Sequence, residues 1–204
     1  LCLQTAKSGG LSSIISSGAL FNQIRESRPD LLNVLMEPFY RDRRGEIPAG
    51  KNPWYVIPVF NIHEGKLLTS YVRSTVMKAQ RFPEAPRLTE AQIEAMDFVD
   101  EMTQDPTLHL RMAFNPGDIQ FVNNHVIVHS RTDYEEYHDK PRHLLRLWLA
   151  CPEGPALPAP YWDFQDPTES GRPNGYLMPG VKLSAPLDPE DGGPGASSTR
   201  QSNT

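Results

Sequence analysis

Two histidines, His125 and His129, lie four residues apart in the stretch NPGDIQFVNNHVIVHSR, residues 115–131. Imidazole is the commonest metal ligand among side chains, so the pair raises the question of a metal site. If HVIVHSR is an extended strand, the two rings share a face but stand roughly 13 Å apart, too far to hold one ion together. At most one of them is a ligand unless a bulge intervenes, and the ordinary role of a lone strand histidine is a hydrogen-bonded structural one. Further on, Arg142 and Arg146 are also four apart, in PRHLLRLWL. On a strand both guanidinium groups would turn to one face of a segment otherwise made of Leu and Trp. A guanidinium withdrawn from water needs a partner, and its fork matches a carboxylate held by two hydrogen bonds, from the protein or from a small diacid. A solvated surface pair is the plainer alternative.

These residues need a scaffold, and the sequence suggests one made of short strands. SSIISSGALFNQI reads as a strand or loop running into a helix, and RPDLLNVL as a second short helix whose Pro29 suits a first turn. WYVIPVFNI and KLLTSYVRSTV are rich in β-branched and aromatic residues and flank HEG, which predicts a hairpin with His63 in its turn. LTEAQIEAMDFVDEM predicts a helix with Thr89 as N-cap and Gln92 three residues on, and with Ile93, Met96, Val99 and Met102 on one face. TLHLRMAF, IQFVNN, VIVHSR and RHLLRLWLAC then read as short strands separated by NPGD, the Asn pair and TDYEEYHDKP, a spacing that suggests a sandwich or barrel. The expectation is that residues 54–151 form most of two facing antiparallel sheets, with the helix at 89–102 outside them.

Composition narrows the function classes. The 204 residues suffice for one domain with a tail, and 38% hydrophobic and 22% charged residues with a net charge of -5 describe an ordinary globular chain without a basic field for nucleic acid. No apolar run approaches the length of a membrane span. Cys2 and Cys151 are too few and too far apart to read as a disulfide framework or a thiolate metal site, so a reducing, cytoplasmic setting is the default. Ten of the twenty prolines fall from Pro152 onward. This divides the chain into a folded domain at 1–160, an extended Pro-rich segment at 161–184, and a tail at 185–204 too poor in apolar residues to offset its ordering entropy. The partner expected is a small molecule, with neither nucleic acid nor membrane, and nothing in the sequence bears on oligomeric state.

Three ordered blocks, KSGGLS, NPGDIQFVNNHVIVHSRT and RHLLRLWL, resemble the TauD/TfdA-like branch of the iron(II)- and 2-oxoglutarate-dependent dioxygenases. The resemblance runs from about Leu1 to Pro160, and RPDLLNVL and LTEAQIEAMD are similar to the fungal members. It implies a mainly β fold with flanking helices, a double-stranded β-helix (jelly roll, cupin-like) incomplete at its N-terminus. It also implies an iron(II) held by two histidines and a carboxylate, with 2-oxoglutarate as co-substrate and succinate and CO2 as products. Carried over, His129 resembles the distal iron ligand and His125 a variable position. Arg142 resembles the arginine that grips the distal carboxylate of 2-oxoglutarate, and Ser12 the hydroxyl that helps anchor it. Arg146 resembles a second arginine facing the substrate, which leaves room for an anionic substrate, and Asn124 is assigned to the same side. A shared site demands convergence, so His129, Arg142 and Ser12 are expected to point into one cavity, with Arg146 close by and His125 nearer its rim or outside.

One motif of that family is absent: none of the six histidines is followed two residues later by a carboxylate, so the His-x-Asp or His-x-Glu pair that should precede KSGG is missing. Together with an opening that reads LCLQTAKSGG without an initiator Met, this gives the expectation of an inactive fragment of a dioxygenase. The alternative is a metal-free jelly-roll binding module or inactive paralogue that keeps the carboxylate pocket. A purely structural protein is disfavoured, because Arg, His and Asn on core-facing strands are costly without a ligand.

Overall fold

The structure is a computed structural model that describes residues 1–149, 154 and 156–162. In chain order its elements are β1 (Cys2–Gln4), β2 (Ser8–Gly9), β3 (Ser12–Ser16), α1 (Ser17–Ser27), α2 (Pro29–Leu35), β4 (Tyr40–Asp42), β5 (Trp54–Val56), β6 (Phe60–His63), β7 (Lys66–Thr69), α3 (Arg73–Ala79), α4 (Glu90–Gln104), β8 (His109–Met112), β9 (Ile127–Arg131), β10 (Tyr134–Glu135), β11 (His143–Leu144) and α5 (Ala159–Trp162). By element the fold is β-rich with flanking helices. Among the described residues the strands form one three-stranded antiparallel sheet, β8-β3-β9, and four two-stranded pairs, β1-β11, β2-β10, β4-β5 and β6-β7. These are five small sheets, where the sequence reading had two large facing ones over residues 54–151.

The helices form where local chemistry demands them. Ser16 caps α1, its hydroxyl accepting from the Ala19 amide at 3.4 Å, and Pro29 opens α2, where a missing N–H costs nothing. At α4 the predicted capping box is complete: the Gln92 amide donates to Thr89 Oγ1 and the Thr89 amide to Gln92 Oε1, both at 3.1 Å. The buried face of α4 is Ala95, Met96 and Val99, with Met102 packed beside it. Ile93 is a correction: it is 39% exposed, because it lies roughly 120° round the helix from Val99, at the centre of the buried arc. Rather than lying outside two sheets, α4 packs on α2 and α1. Their inward residues, with Ile15 of β3, Phe39, Val59, Phe60 and Val76, make the main core.

Two segments that read as continuous strands fold differently. The WYVIPVFNI strand breaks at Pro58, which has no amide to donate; the Ile57 amide goes instead to the Phe39 carbonyl (3.1 Å) and the Val59 amide to the Leu35 carbonyl (2.9 Å). As a result β5 pairs with β4, and only β6 pairs with β7, through a turn whose Glu64 and Gly65 both have positive φ (49° and 70°). These values fit a type I′ hairpin and leave His63 at the end of β6, not in the turn. The second half of KLLTSYVRSTV is helical: α3 uses Thr75 and Val76 as its buried face, and Thr75 Oγ1 donates to the Val72 carbonyl at 2.7 Å. Burial there overrides strand propensity.

A second apolar cluster, Tyr55, Ile57, Leu68, Leu157 and Tyr161, sits near the fully buried Arg41. The Arg41 guanidinium donates to Ser70 Oγ (2.8 Å) and to the Ser70 carbonyl (2.5 Å), and desolvation pushes its pKa down. No helix among the described residues is long and apolar enough to cross a membrane. Apart from Tyr161 and Trp162, the expected segments 161–184 and 185–204 lie outside the described residues.

Candidate functional site

β3 is the hinge of the site because it has two differently used faces. Residues directly opposite in an antiparallel ladder point to the same side. Ile15 pairs with Val128 and His109 and turns, with Val128, into the helical core. Ile14 pairs with His129 and Leu110, and Ser12 with Arg131 and Met112, so these side chains share the opposite face. That face is open among the described residues: Leu110 is 60% exposed.

His129 therefore stands on the open face of β9, with Ser12 two residues along the neighbouring strand. Although the residue is exposed, the chain around the imidazole strips part of its hydration and lowers its pKa, and repulsion from Arg146 lowers it further. A neutral ring with a free lone pair is the form a metal needs. The same repulsion puts Arg146 near His129, and Arg146 also reaches over the Trp148 ring at 5.2 Å. Buried Ser12 donates its hydroxyl to Gln120 Oε1 at 3.2 Å.

Arg142 lies in a separate recess of about 320 Å³. The recess is lined by Cys2, the loop and strand from Thr5 to Gly10, the segment Ala113 to Pro116, and Leu144. Its walls explain the tandem glycines. Gly9 (φ +69°) lies against β10, where a Cβ would come within 2.1 Å of the Asp133 carbonyl oxygen. Gly10 (φ +67°) lies against Arg142, where a Cβ would be 3.2 Å from Nε. Both positions need a residue that tolerates the left-handed region and takes up no space. Lys7 adds a second cation to the recess and pairs loosely with Glu135 at 3.9 Å. The guanidinium of Arg142 sits over the Tyr134 ring, 5.3 Å from its centre.

Of the residues predicted from sequence, Ser12, His129 and Arg146 thus gather at the open sheet face, and Arg142 in the recess reached from the same β2–β3 segment. Ser12, His129, Arg146 and Asn124 do not line the recess. Asn124 is exposed in the turn before β9, where it is Asn123 Oδ1 that accepts, from the His125 amide at 3.1 Å. His125 is a correction to the strand reading. It belongs to that turn, so strand alternation does not reach it; its ring stacks edge-on to Tyr161 at 5.6 Å and its carbonyl accepts from the Thr69 amide at 2.7 Å. Sequence reasoning also passed over Lys7, Tyr134 and Arg41. The GG pair was the available signal for the recess, whereas YRDRR reads as a solvated charge run and conceals the burial of Arg41.

Among the described residues no three His, Cys, Asp or Glu side chains come together as a metal site. A single imidazole at His129 does not make the two-histidine, one-carboxylate set that iron(II) would require, so these residues do not fit a resident iron by themselves.

Comparison with known proteins adds a family to this geometry. Residues 1–148 match the family described as "Taurine catabolism dioxygenase TauD, TfdA family". FR-33289 synthase of Streptomyces rubellomurinus (strain ATCC 31215) is 32% identical over 162 residues, covering 78% of this chain and 48% of the relative. Taurine hydroxylase-like protein SAT17 of Stachybotrys chartarum is 35% identical over 154 residues, 72% of this chain and 38% of the relative. A uridine-5'-phosphate dioxygenase of an Amycolatopsis species is 30% identical over 150 residues, 73% of this chain and 53% of the relative. The chain spans about half the length, or less, of these curated relatives.

Proposed function

Because the chain belongs to the TauD/TfdA family of dioxygenases, we propose that it supplies the co-substrate half of an iron(II)- and 2-oxoglutarate-dependent dioxygenase built on a jelly roll. In this reading Arg142 holds the distal carboxylate of 2-oxoglutarate in the recess, while His129, with Ser12 near it on the sheet face, is one iron ligand. Arg146 and Asn124 face a small substrate, and succinate and CO2 are released. The observation that carries it is the recess around Arg142: a guanidinium with no hydrogen bond or ion pair to the protein among the described residues, in a cavity sized for a small diacid and joined by a second cation, Lys7. Such a fork is suited to a planar carboxylate. An anionic primary substrate agrees with the names of relatives that specify uridine-5'-phosphate and taurine, and with the positive charge of Arg146 beside His129.

Bound iron would supply the oxygen chemistry, but the described residues hold no cluster of three donors for it, so the chain's own contribution is to seat and orient the keto acid. We infer that turnover needs donors from outside the described residues, in the form of a His-x-Asp or His-x-Glu pair that these 204 residues lack. The rival reading, a metal-free binding module that keeps the carboxylate recess, draws on the same lone imidazole.

Succinate release from 2-oxoglutarate, with and without iron(II), separates the two. The 204-residue chain should release none, and a longer polypeptide that includes the His-x-Asp pair should release it in an iron-dependent way. Failure of the longer form to turn over would favour the binding module. Iron-dependent turnover by the 204-residue chain would show that other side chains complete the site and that the fragment reading is wrong.

A further inference from the structure

We propose that Tyr134 is a positioning residue for the carboxylate anchor, an inference that rests on the reading of Arg142 as that anchor. A fork that must meet a planar carboxylate has to be fixed in direction as well as placed, since two parallel N–H donors are useful only in one plane. Arg142 forms neither a hydrogen bond nor an ion pair among the described residues. Beside it lie the Tyr134 ring, 5.3 Å from centre to guanidinium carbon, and Gly10, where a Cβ would come 3.2 Å from Nε. A cation lying over a ring is held by the ring's face without using any of its N–H donors. Tyr134 therefore restrains Arg142 and leaves its full hydrogen-bonding capacity for a ligand, which a protein carboxylate in the same place would consume.

The ring is itself well anchored. Tyr134 pairs with Gly9 in the β2-β10 ladder, and the Gly10 amide donates to the Asp133 carbonyl at 3.0 Å. One residue further, Leu11 and Thr132 bond each other twice: the Leu11 amide to Thr132 Oγ1 and the Thr132 amide to the Leu11 carbonyl, both at 3.0 Å. Arg131 also lies over the Tyr134 ring, at 4.3 Å, and donates to the Thr132 carbonyl at 3.2 Å, which braces the ring from β9. The glycine pair and the tyrosine thus act together: the glycines clear the space for the guanidinium and the ring fixes its plane.

The test is a ligand-observed NMR titration of the 204-residue chain in metal-free buffer, with 2-oxoglutarate and with 2-oxobutyrate, which lacks the distal carboxylate. Tyr134→Leu should weaken 2-oxoglutarate by about fivefold and leave 2-oxobutyrate unchanged. Tyr134→Phe, which keeps the ring, should bind 2-oxoglutarate as the unmodified chain does, and thermal melting establishes that both variants fold. In an Arg142→Ala background, Tyr134→Leu should cause no further loss, because the ring acts only through the guanidinium. The proposal is overturned if Tyr134→Leu binds normally, if both keto acids weaken equally, or if the loss persists without Arg142. Undiminished 2-oxoglutarate binding by Arg142→Ala alone would instead sink the anchor reading on which the proposal stands.

Discussion

The two faces of β3 differ as sharply as any two regions of this molecule. On one side Ile15 joins Leu20, Ile24, Leu35, Met96 and Val99, all nearly or fully buried among α1, α2 and α4. On the other side Ile14 shares its face with His129 and with a Leu110 that is 60% exposed. The same strand, with the same alternation, gives a packed interior on one side and the face that carries Ser12 and His129 on the other. Stability and candidate function are thus separable in this chain, since the hydrophobic term scales with area removed from water and little has been removed on the open side.

The comparison breaks if both sides respond alike to truncation. Leu35→Ala, at a residue with no exposure, should cost about 3 kcal/mol in urea unfolding, through lost transfer energy and the cavity left behind. Leu110→Ala, on the open face, should change stability by no more than about 0.5 kcal/mol. Equal costs would mean that the open face is packed in solution.

The glycine pair sharpens the contrast within the recess. Gly9→Ala drives a Cβ into the backbone carbonyl of Asp133 and should cost about 3 kcal/mol, because the β2-β10 ladder has to open. Gly10→Ala meets Arg142 Nε most closely, with the Cβ atoms of Ala6 and Tyr134 at 3.4 Å, and no backbone atom that close, so it should cost about 1 kcal/mol while weakening 2-oxoglutarate binding by displacing the guanidinium. Denaturation curves should rank Gly9→Ala as the costlier variant, and the NMR titration should show 2-oxoglutarate binding weakened in both, since an opened β2-β10 ladder also releases Tyr134.

Thr89→Ala removes half of the capping box on the packed side and should lower stability by about 1 kcal/mol, with no change in 2-oxoglutarate binding. The smallest effect is electrostatic and belongs to the open side. His129 should titrate below the ordinary imidazole value, and Arg146→Met should raise its midpoint only part of the way, since desolvation is the larger cause. The sign follows from proton counting: below the ordinary value the unfolded chain takes up a proton that folded His129 refuses, so stability from this group falls as pH drops through that window. Histidine ring resonances followed by NMR against pH check both statements, and a midpoint above the ordinary value would contradict them.

The amino-acid sequence alone determined whatever depends on residues close together in the chain. Thr89 and Gln92 specify the start of α4 and Pro29 that of α2, because a cap or a missing amide acts within one turn of the residue that supplies it. The ordered blocks around GG, His129 and Arg142 likewise sufficed to indicate the family. Tertiary structure decided which of the apparent strands find partners. Pro58 splits WYVIPVFNI between two sheets, STV coils into α3, and His125 leaves the strand that carries His129. It also decided that Arg41 is buried, that Ile93 is not, and that Arg142 rests on Tyr134 beside Gly10. Each of these turns on a pairing between distant segments, such as Ser12 with Arg131 or Gly9 with Tyr134. Local propensities are worth tenths of a kcal/mol, whereas burying one large side chain is worth about 1.5–3 kcal/mol, so where the two disagree the packing prevails.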